Sequence, residues 1–412
     1  MRLYNWMIAP LLLAAAACSS SSDPMDTTPD LYALAPLPGT DASDASWVRT
    51  RTIYAVAVDR FRDSDGDGLG DLAGLTDALD AVTTQHVGTL LLDPVAPTAG
   101  RDGRRALSAF TTVAGELGGE AAFRALLDAA HDRDLKVVVT LPINHTEIDH
   151  PWFQAALAAT SGEAGKWYRG GATAACDDIP LATPNIYGSD RWTERNGRTW
   201  YHRFASTTVD LDLTWPPVVT AITTAIRYWL DLGVDGLYFP YAWAWIEDGG
   251  DCENTPASLK LLEQLRAVVK EDPRRALIVS DHLPDRTPLG QSARALAYVA
   301  EGRADLVIDP DLTVTLHNLT AEDLVGDLWQ TLITQGGNAV AAASGLPDLP
   351  RASATHGNLD VATRLMMTVL LTSPQTPLLL YGDELGIGQA TESGGDPRNL
   401  ALPLYPWNST AP

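Results

Sequence analysis

Asp63 to Asp71 read DSDGDGLGD, which sets carboxylates at alternating positions around a bend that the glycines permit. A hard cation takes about six to eight oxygen ligands. This spacing lets Asp63, Asp65, Asp67, the Leu69 carbonyl and Asp71 converge on one ion, calcium first and magnesium as the alternative. Left bare, four carboxylates so close together repel one another, and the competing reading is an exposed acidic turn. A second chemical stretch runs from Gly233 as GVDGLYFPYAWAWIEDGGDC. An apolar strand ends there at Pro240, and Tyr241, Trp243 and Trp245 follow at period two. Such flat rings either stack on sugar faces or pack locally. Further residues able to do chemistry are Asn144 and His145 in LPINHT, Asp281 in LIVSDHLP, and Asp348 and Arg351 in GLPDLPR.

Five segments occur in order along nearly the whole chain: IYAVAVDRFRDS with the acidic loop and GDLAGL, LPINHT with HPWF, VDLDLTWPPV, GVDG, and TSPQTPLLLYGDELGI. Together they resemble the α-amylase family (glycoside hydrolase family 13). The resemblance implies a (β/α)8 TIM barrel with an inserted subdomain after the third strand. In that family the segment matching GVDGLYFP ends in the nucleophilic Asp, with an Arg two residues before it; here those places hold Pro240 and Tyr238. The family's Glu acid falls on Asp281, one methylene shorter. Its Asn-His-Asp falls on Leu346-Pro347-Asp348, and its Gly-Tyr-Asp on Gly103-Arg104-Arg105. Thr140 stands where an Asp is usual, while Arg351, Asn144 and His145 match.

A retaining glycosidase needs two carboxyl groups about 5–5.5 Å apart, one to attack and one to protonate the leaving oxygen. With the nucleophile replaced, Asp281 and Asp348 remain as residual counterparts only. The expected function is therefore that of a pseudo-glycosidase, which binds an α-glucan or oligosaccharide, or a protein partner, without cutting it. His145, Arg351, Tyr241, Trp243 and Trp245 are the candidate binding residues. The alternative is an active α-glucosidase or amylase using Asp281 and Asp348, with an atypical nucleophile such as Glu247 or Asp248.

These residues need a scaffold, and the hydrophobic pattern supplies one. Short β-rich runs near Thr52 to Val58, Thr89 to Asp93, Lys136 to Leu141, Asp235 to Phe239, Ala276 to Ser280, Asp305 to Ile308, Ala339 to Ala343 and Pro377 to Tyr381 alternate with amphipathic segments. Eight strands in βα alternation predict a closed parallel barrel. Helices are expected at Glu120 to Arg133, Pro217 to Leu232, Ser258 to Lys270 and Leu359 to Thr372. The barrel is assigned to residues 47–144 and 214–412. Residues 145–213 are too many for a simple loop and form the inserted subdomain. The chain ends soon after the eighth strand, so no C-terminal β-domain is expected.

The chain has 412 residues, 45% hydrophobic, with a formal charge of -23. So acidic a surface repels a polyphosphate backbone and excludes nucleic-acid binding as the role. Arg2, an apolar run from Met7 to Ala17, then Cys18 and serines read as a signal peptide over residues 1–18, too short for the roughly 20 residues of a membrane-spanning helix. Cys18 resembles a bacterial lipoprotein attachment site, so export with a lipid anchor in the outer membrane is expected, with a periplasmic or secreted protein as the alternative. Residues 19–46 lack apolar content and read as a tether. In an oxidising compartment Cys176 and Cys252 either pair as a disulfide or stay as separate thiols.

Overall fold

The computed structural model describes residues 44–98, 106–159, 162–170, 191–247, 253–281, 292–318, 339–347, 349, 351–355, 357, 360–389 and 402–407. Cys18, Gly103, Arg104, Arg105, Cys176, Asp248, Cys252 and Asp348 lie outside the described residues.

Among the described residues twelve strands are numbered in chain order. Eight close a parallel barrel: β1 (Ile53–Val56), β2 (Thr89–Leu92), β3 (Lys136–Thr140), β8 (Gly236–Phe239), β9 (Ala276–Ser280), β10 (Leu306–Ile308), β11 (Val340–Ala343) and β12 (Thr376–Leu380). Each pairs with its neighbour in sequence around the ring, and β1 closes it by pairing with both β2 and β12, Ile53 standing level with Thr89 and Leu378. Every barrel strand falls within about two residues of its expected place, because a parallel strand buried on both faces reads as a continuous apolar run. One face of each strand fills the barrel: Ile53, Leu91, Val138, Tyr238, Ile278, Ile308, Ala341 and Leu378 belong to one buried cluster. The other face packs beneath the helices, as Tyr54, Leu90, Val139, Phe239, Val279 and Leu379 do.

The helices follow their end signals. Pro216 opens Pro216–Leu232, and Gly233, left-handed at φ 111, closes it and releases the chain into β8. Thr255 caps Pro256–Val269 by accepting from the Ser258 N–H, and His150 caps Pro151–Ala158 through Nδ1. Below the barrel, the short turn Ala45–Arg49 presses Trp47 and Val48 onto the interior cluster, and the Trp47 indole donates to the Arg274 carbonyl at 2.9 Å. The folded part thus already includes Ala45, which the composition placed in the tether: an Ala-Ser-Trp-Val run is too short to announce itself as core.

Between β3 and β8, β4 (His145–Glu147) pairs antiparallel with β7 (Thr208–Asp210), and β5 (Trp192–Arg195) with β6 (Arg198–Tyr201). The second pair turns at Asn196-Gly197, both with positive φ, as a two-residue hairpin requires. These strands and the helix Pro151–Ala158 belong to the inserted region. Among the described residues no helix is long and apolar enough to cross a membrane.

At the foot of the barrel, Asp235 accepts from Lys136 Nζ and from the Val137 N–H, and lies 2.8 Å from His131 Nε2. Burial raises the Asp235 pKa, but these partners outweigh it and hold the carboxyl below its usual range. The same contact, against some burial, raises the His131 pKa. A raised folded pKa means the stabilisation is full below the unfolded value of about 6.5 and fades as pH rises through the folded value. His131→Gln is therefore expected to lower the melting temperature at pH 5.5 and to change it much less at pH 9. Equal losses at both pH values would rule out the ion pair as the cause.

Candidate functional site

The C-terminal ends of the barrel strands converge on one mouth, where barrel enzymes keep their chemistry. Its wall is Asp93 after β2, Thr140 in β3, Tyr238 and Pro240 at the end of β8, Ser280 and Asp281 at β9, Pro310 after β10, and Leu346 and Pro347 after β11. The space they enclose is about 50 Å³. Small-molecule sites commonly enclose ~300–1,000 Å³, so this one has room for a few water-sized groups and none for a sugar ring. Pro240 stands at the end of β8 and faces this space. Its ring carries no lone pair or proton for catalysis.

Asp281 is buried at 4% exposure, its backbone N–H bonded to the Ile308 carbonyl at 3.1 Å. Asp93 joins it in the wall, a carboxylate outside the five segments that carry the family resemblance. The signal was present: TLLLDP ends an apolar barrel strand in an acid, at the end of the barrel where function concentrates.

The roof comes from the chain just past Pro240. Tyr241 is left-handed (φ 62), a rare backbone state for a bulky residue, and a short 3-10 turn, Ala242–Ala244, follows. Tyr241 and Trp243 both line the cavity, at 5% and 4% exposure. Trp245 does not; it packs edge-on against Phe239, 5.9 Å away, in the layer beneath the helices. His145 is buried beside the roof, its ring 5.0 Å from Phe204 and 6.1 Å from Tyr241, level with Asp210 across the β4–β7 pair. Burial pushes the Asp210 carboxyl up in pKa, opposed by His145 and the Arg203 N–H, and Asn144 donates to it at 3.0 Å. Glu247 forms an ion pair with Arg169 and is absent from the cavity wall.

Arg351 is wholly buried but turned to structural work. Its Nη1 donates to the Tyr381 carbonyl at 2.7 Å and to Asp383 Oδ1 at 2.8 Å, and its guanidinium lies over the Tyr381 ring. Ser344 Oγ donates to the other Asp383 oxygen at 2.6 Å. This network fastens the turn after β12 to β11, and the cavity wall includes neither Arg351 nor Asp383.

In the acidic loop, Asp63, Asp65 and Asp71 each bring a carboxylate oxygen within 4.8 Å of the others, the first two exposed and the third buried. Asp63 accepts from the Gly66 and Gly68 N–H groups, which hold its carboxyl below the usual range. Asp71 caps the helix Leu72–Thr83 and accepts from Ser64. Asp67 stands outside the group and accepts from the Leu69 N–H at 2.8 Å. The donor set of three carboxylates on a pre-bent loop fits a hard cation, with Asp67 and the Leu69 carbonyl adjacent.

The family described as "Alpha amylase, catalytic domain" matches residues 53–403. Among curated relatives, the trehalose synthase/amylase TreS of Mycolicibacterium smegmatis (strain ATCC 700084 / mc(2)155) is 34% identical over 84% of this chain, which spans 65% of that protein's length. The amino acid transporter heavy chain SLC3A1 of Mus musculus is 26% identical over 83% of this chain and is spanned to 54%. Among solved structures, a trehalulose synthase, MutB, in complex with Tris superposes with a TM-score of 0.78 at 19% identity, covering 89% of this chain and 76% of that one. The α-glucosyl transfer enzyme XgtA gives 0.75 at 24%, covering 86% and 72%.

Proposed function

Since this chain belongs to the α-amylase family, we propose that it is a member which has kept the barrel and given up glycoside hydrolysis, and that it works by holding a protein partner or, away from the filled barrel mouth, an α-glucan. The observation that carries this reading is Pro240 at the end of β8, facing a cavity smaller than a sugar ring. Double displacement needs a carboxylate able to bond the anomeric carbon and a second within about 5.5 Å to move the proton. The fourth barrel strand supplies no such carboxylate, and Tyr238 stands where the family's Arg would neighbour it.

Two further observations support it. Arg351 is spent on Asp383 and Tyr381, and Glu247 on Arg169, so neither reaches the cavity. The related scaffold also occurs in a protein named as the heavy chain of an amino acid transporter, where by its name it serves as one chain of a larger assembly. Fold alone does not fix function, and a barrel without its nucleophile suits such a partner role.

We also propose that the loop Asp63–Asp71 holds calcium through Asp63, Asp65 and Asp71, with Asp67 and the Leu69 carbonyl completing the set. Its contribution would be structural: neutralising the crowded carboxylates and fixing the start of the helix Leu72–Thr83. Added calcium is expected to raise the melting temperature of chelator-treated protein, since a ligand at 100 times its Kd stabilises by ~2.7 kcal/mol. Asp63→Asn should blunt that gain. No shift with calcium or magnesium would remove the metal from the account.

For the catalytic reading, purified protein is expected to release no product from maltooligosaccharides or aryl α-glucosides. Pro240→Asp alone should stay inactive, because the cavity does not admit a ring. Turnover by the unaltered chain that disappears in Asp281→Ala would overturn the proposal.

A further inference from the structure

The segment after Pro240 is built more firmly than a surface loop requires. Tyr241 takes a left-handed backbone at φ 62, a strained conformation for a bulky residue that persists only where its surroundings enforce it. Those surroundings are visible. The Tyr241 ring lies 4.5 Å from Phe204, and Trp243 stands edge-on to Phe204 at 6.2 Å. The Arg203 guanidinium lies 5.0 Å over the indole of Trp243 and is ion-paired to Glu253, with no exposed side-chain surface of its own. Beyond the rings, the Asn254 N–H donates to the Trp243 carbonyl at 2.8 Å, and Thr255 Oγ1 donates to the Ile246 carbonyl at 2.7 Å. Arg169 pairs with Glu247. Phe204, Arg203 and Arg169 all come from the inserted region, while Glu253, Asn254 and Thr255 lead into the helix Pro256–Val269.

We propose that Tyr241 and Trp243 are an intramolecular occupant of the barrel mouth, an aromatic strap seated where a ring-shaped ligand would otherwise enter, with Arg203 as its latch. The strap deepens the non-hydrolytic reading and rests on it: loss of the nucleophile and filling of the space above it are two halves of one remodelling. Both rings line the cavity and are almost fully buried, so a ring-sized ligand can reach Asp93 and Asp281 only if the strap is displaced. A buried cation over an indole is among the stronger contacts of this kind, because neither partner has water to return to. The latch therefore favours the closed arrangement.

Deleting the indole should leave a ring-sized hole beneath the Arg203 guanidinium, and a flat aromatic molecule suits such a hole. Trp243→Gly, titrated with indole, is expected to gain thermal stability and to bind it at millimolar concentration, whereas the unaltered protein does neither. A folded Trp243→Gly that ignores indole would overturn the proposal. If that variant does not fold, Arg203→Met read by hydrogen exchange decides. Amides of Tyr241 to Ile246 should exchange at least about tenfold faster while those of β3 and β9 keep their protection; unchanged exchange in the strap contradicts the latch. Trp243→Gly should still not cleave aryl α-glucosides, since Pro240 is intact. Cleavage by it would defeat the non-hydrolytic reading and leave the strap standing.

Discussion

Closure of eight parallel strands is the constraint from which the rest follows. A barrel of this size has an interior just wide enough for side chains, so Ile53, Leu91, Val138, Ile278, Ile308 and Leu378 fill it, and ligand space exists only above them, where the strands end. Whatever residue terminates a strand becomes the floor or wall of that space. In this chain the terminating residues include Pro240, Pro310 and Pro347 with Asp93, Thr140 and Asp281, a wall more apolar and more rigid than sugar hydroxyls would need. The closed ring leaves little freedom to compensate: a nucleophile missing from β8 cannot be replaced from a neighbouring strand without moving the strand itself.

The inserted region is what turns a small mouth into a covered one. The connection between β6 and β7 carries Arg203 and Phe204, and those residues fix Tyr241 and Trp243 in place. Burying Arg203 is costly in isolation, and breaking such a pair by removing one partner typically costs about 3–5 kcal/mol. The arrangement is thus hard to dissolve by drift at one position. Arg351 with Asp383 does the same service for the turn after β12. Both buried arginines are here spent on holding loops.

Much of this was legible in the amino-acid sequence. The eight strands announced themselves as apolar runs, and the helix ends as Pro216, Gly233 and Thr255. Pro240 at the end of GVDGLYFP marked the chemical anomaly before any geometry was known. What stayed hidden depends on contacts between residues far apart in the chain. Nothing local distinguishes Trp243, which faces the cavity, from Trp245, which faces the helices: period two tells that they share a side in an extended strand, but the chain turns at Tyr241 and the pattern no longer applies. Arg203 reads as an ordinary surface cation until Trp243 and Glu253 are brought to it. Arg351 sits where the resemblance expects a substrate-facing residue, and only the fold reveals Asp383 as its partner. Asp93, in TLLLDP, lies outside every segment that carries the family resemblance.

No side chain of this protein is expected to bond an anomeric carbon. Incubation with a mechanism-based fluorinated α-glucosyl fluoride, followed by intact-mass measurement, tests this directly, because such reagents stall at the covalent stage of double displacement. The polypeptide mass is expected to remain unaltered at any reagent concentration, with Pro240 offering no bond. A gain of one fluoroglucosyl unit, mapped to Asp93, Asp281 or any other carboxylate, would contradict the account and return the chain to the working glycosidases.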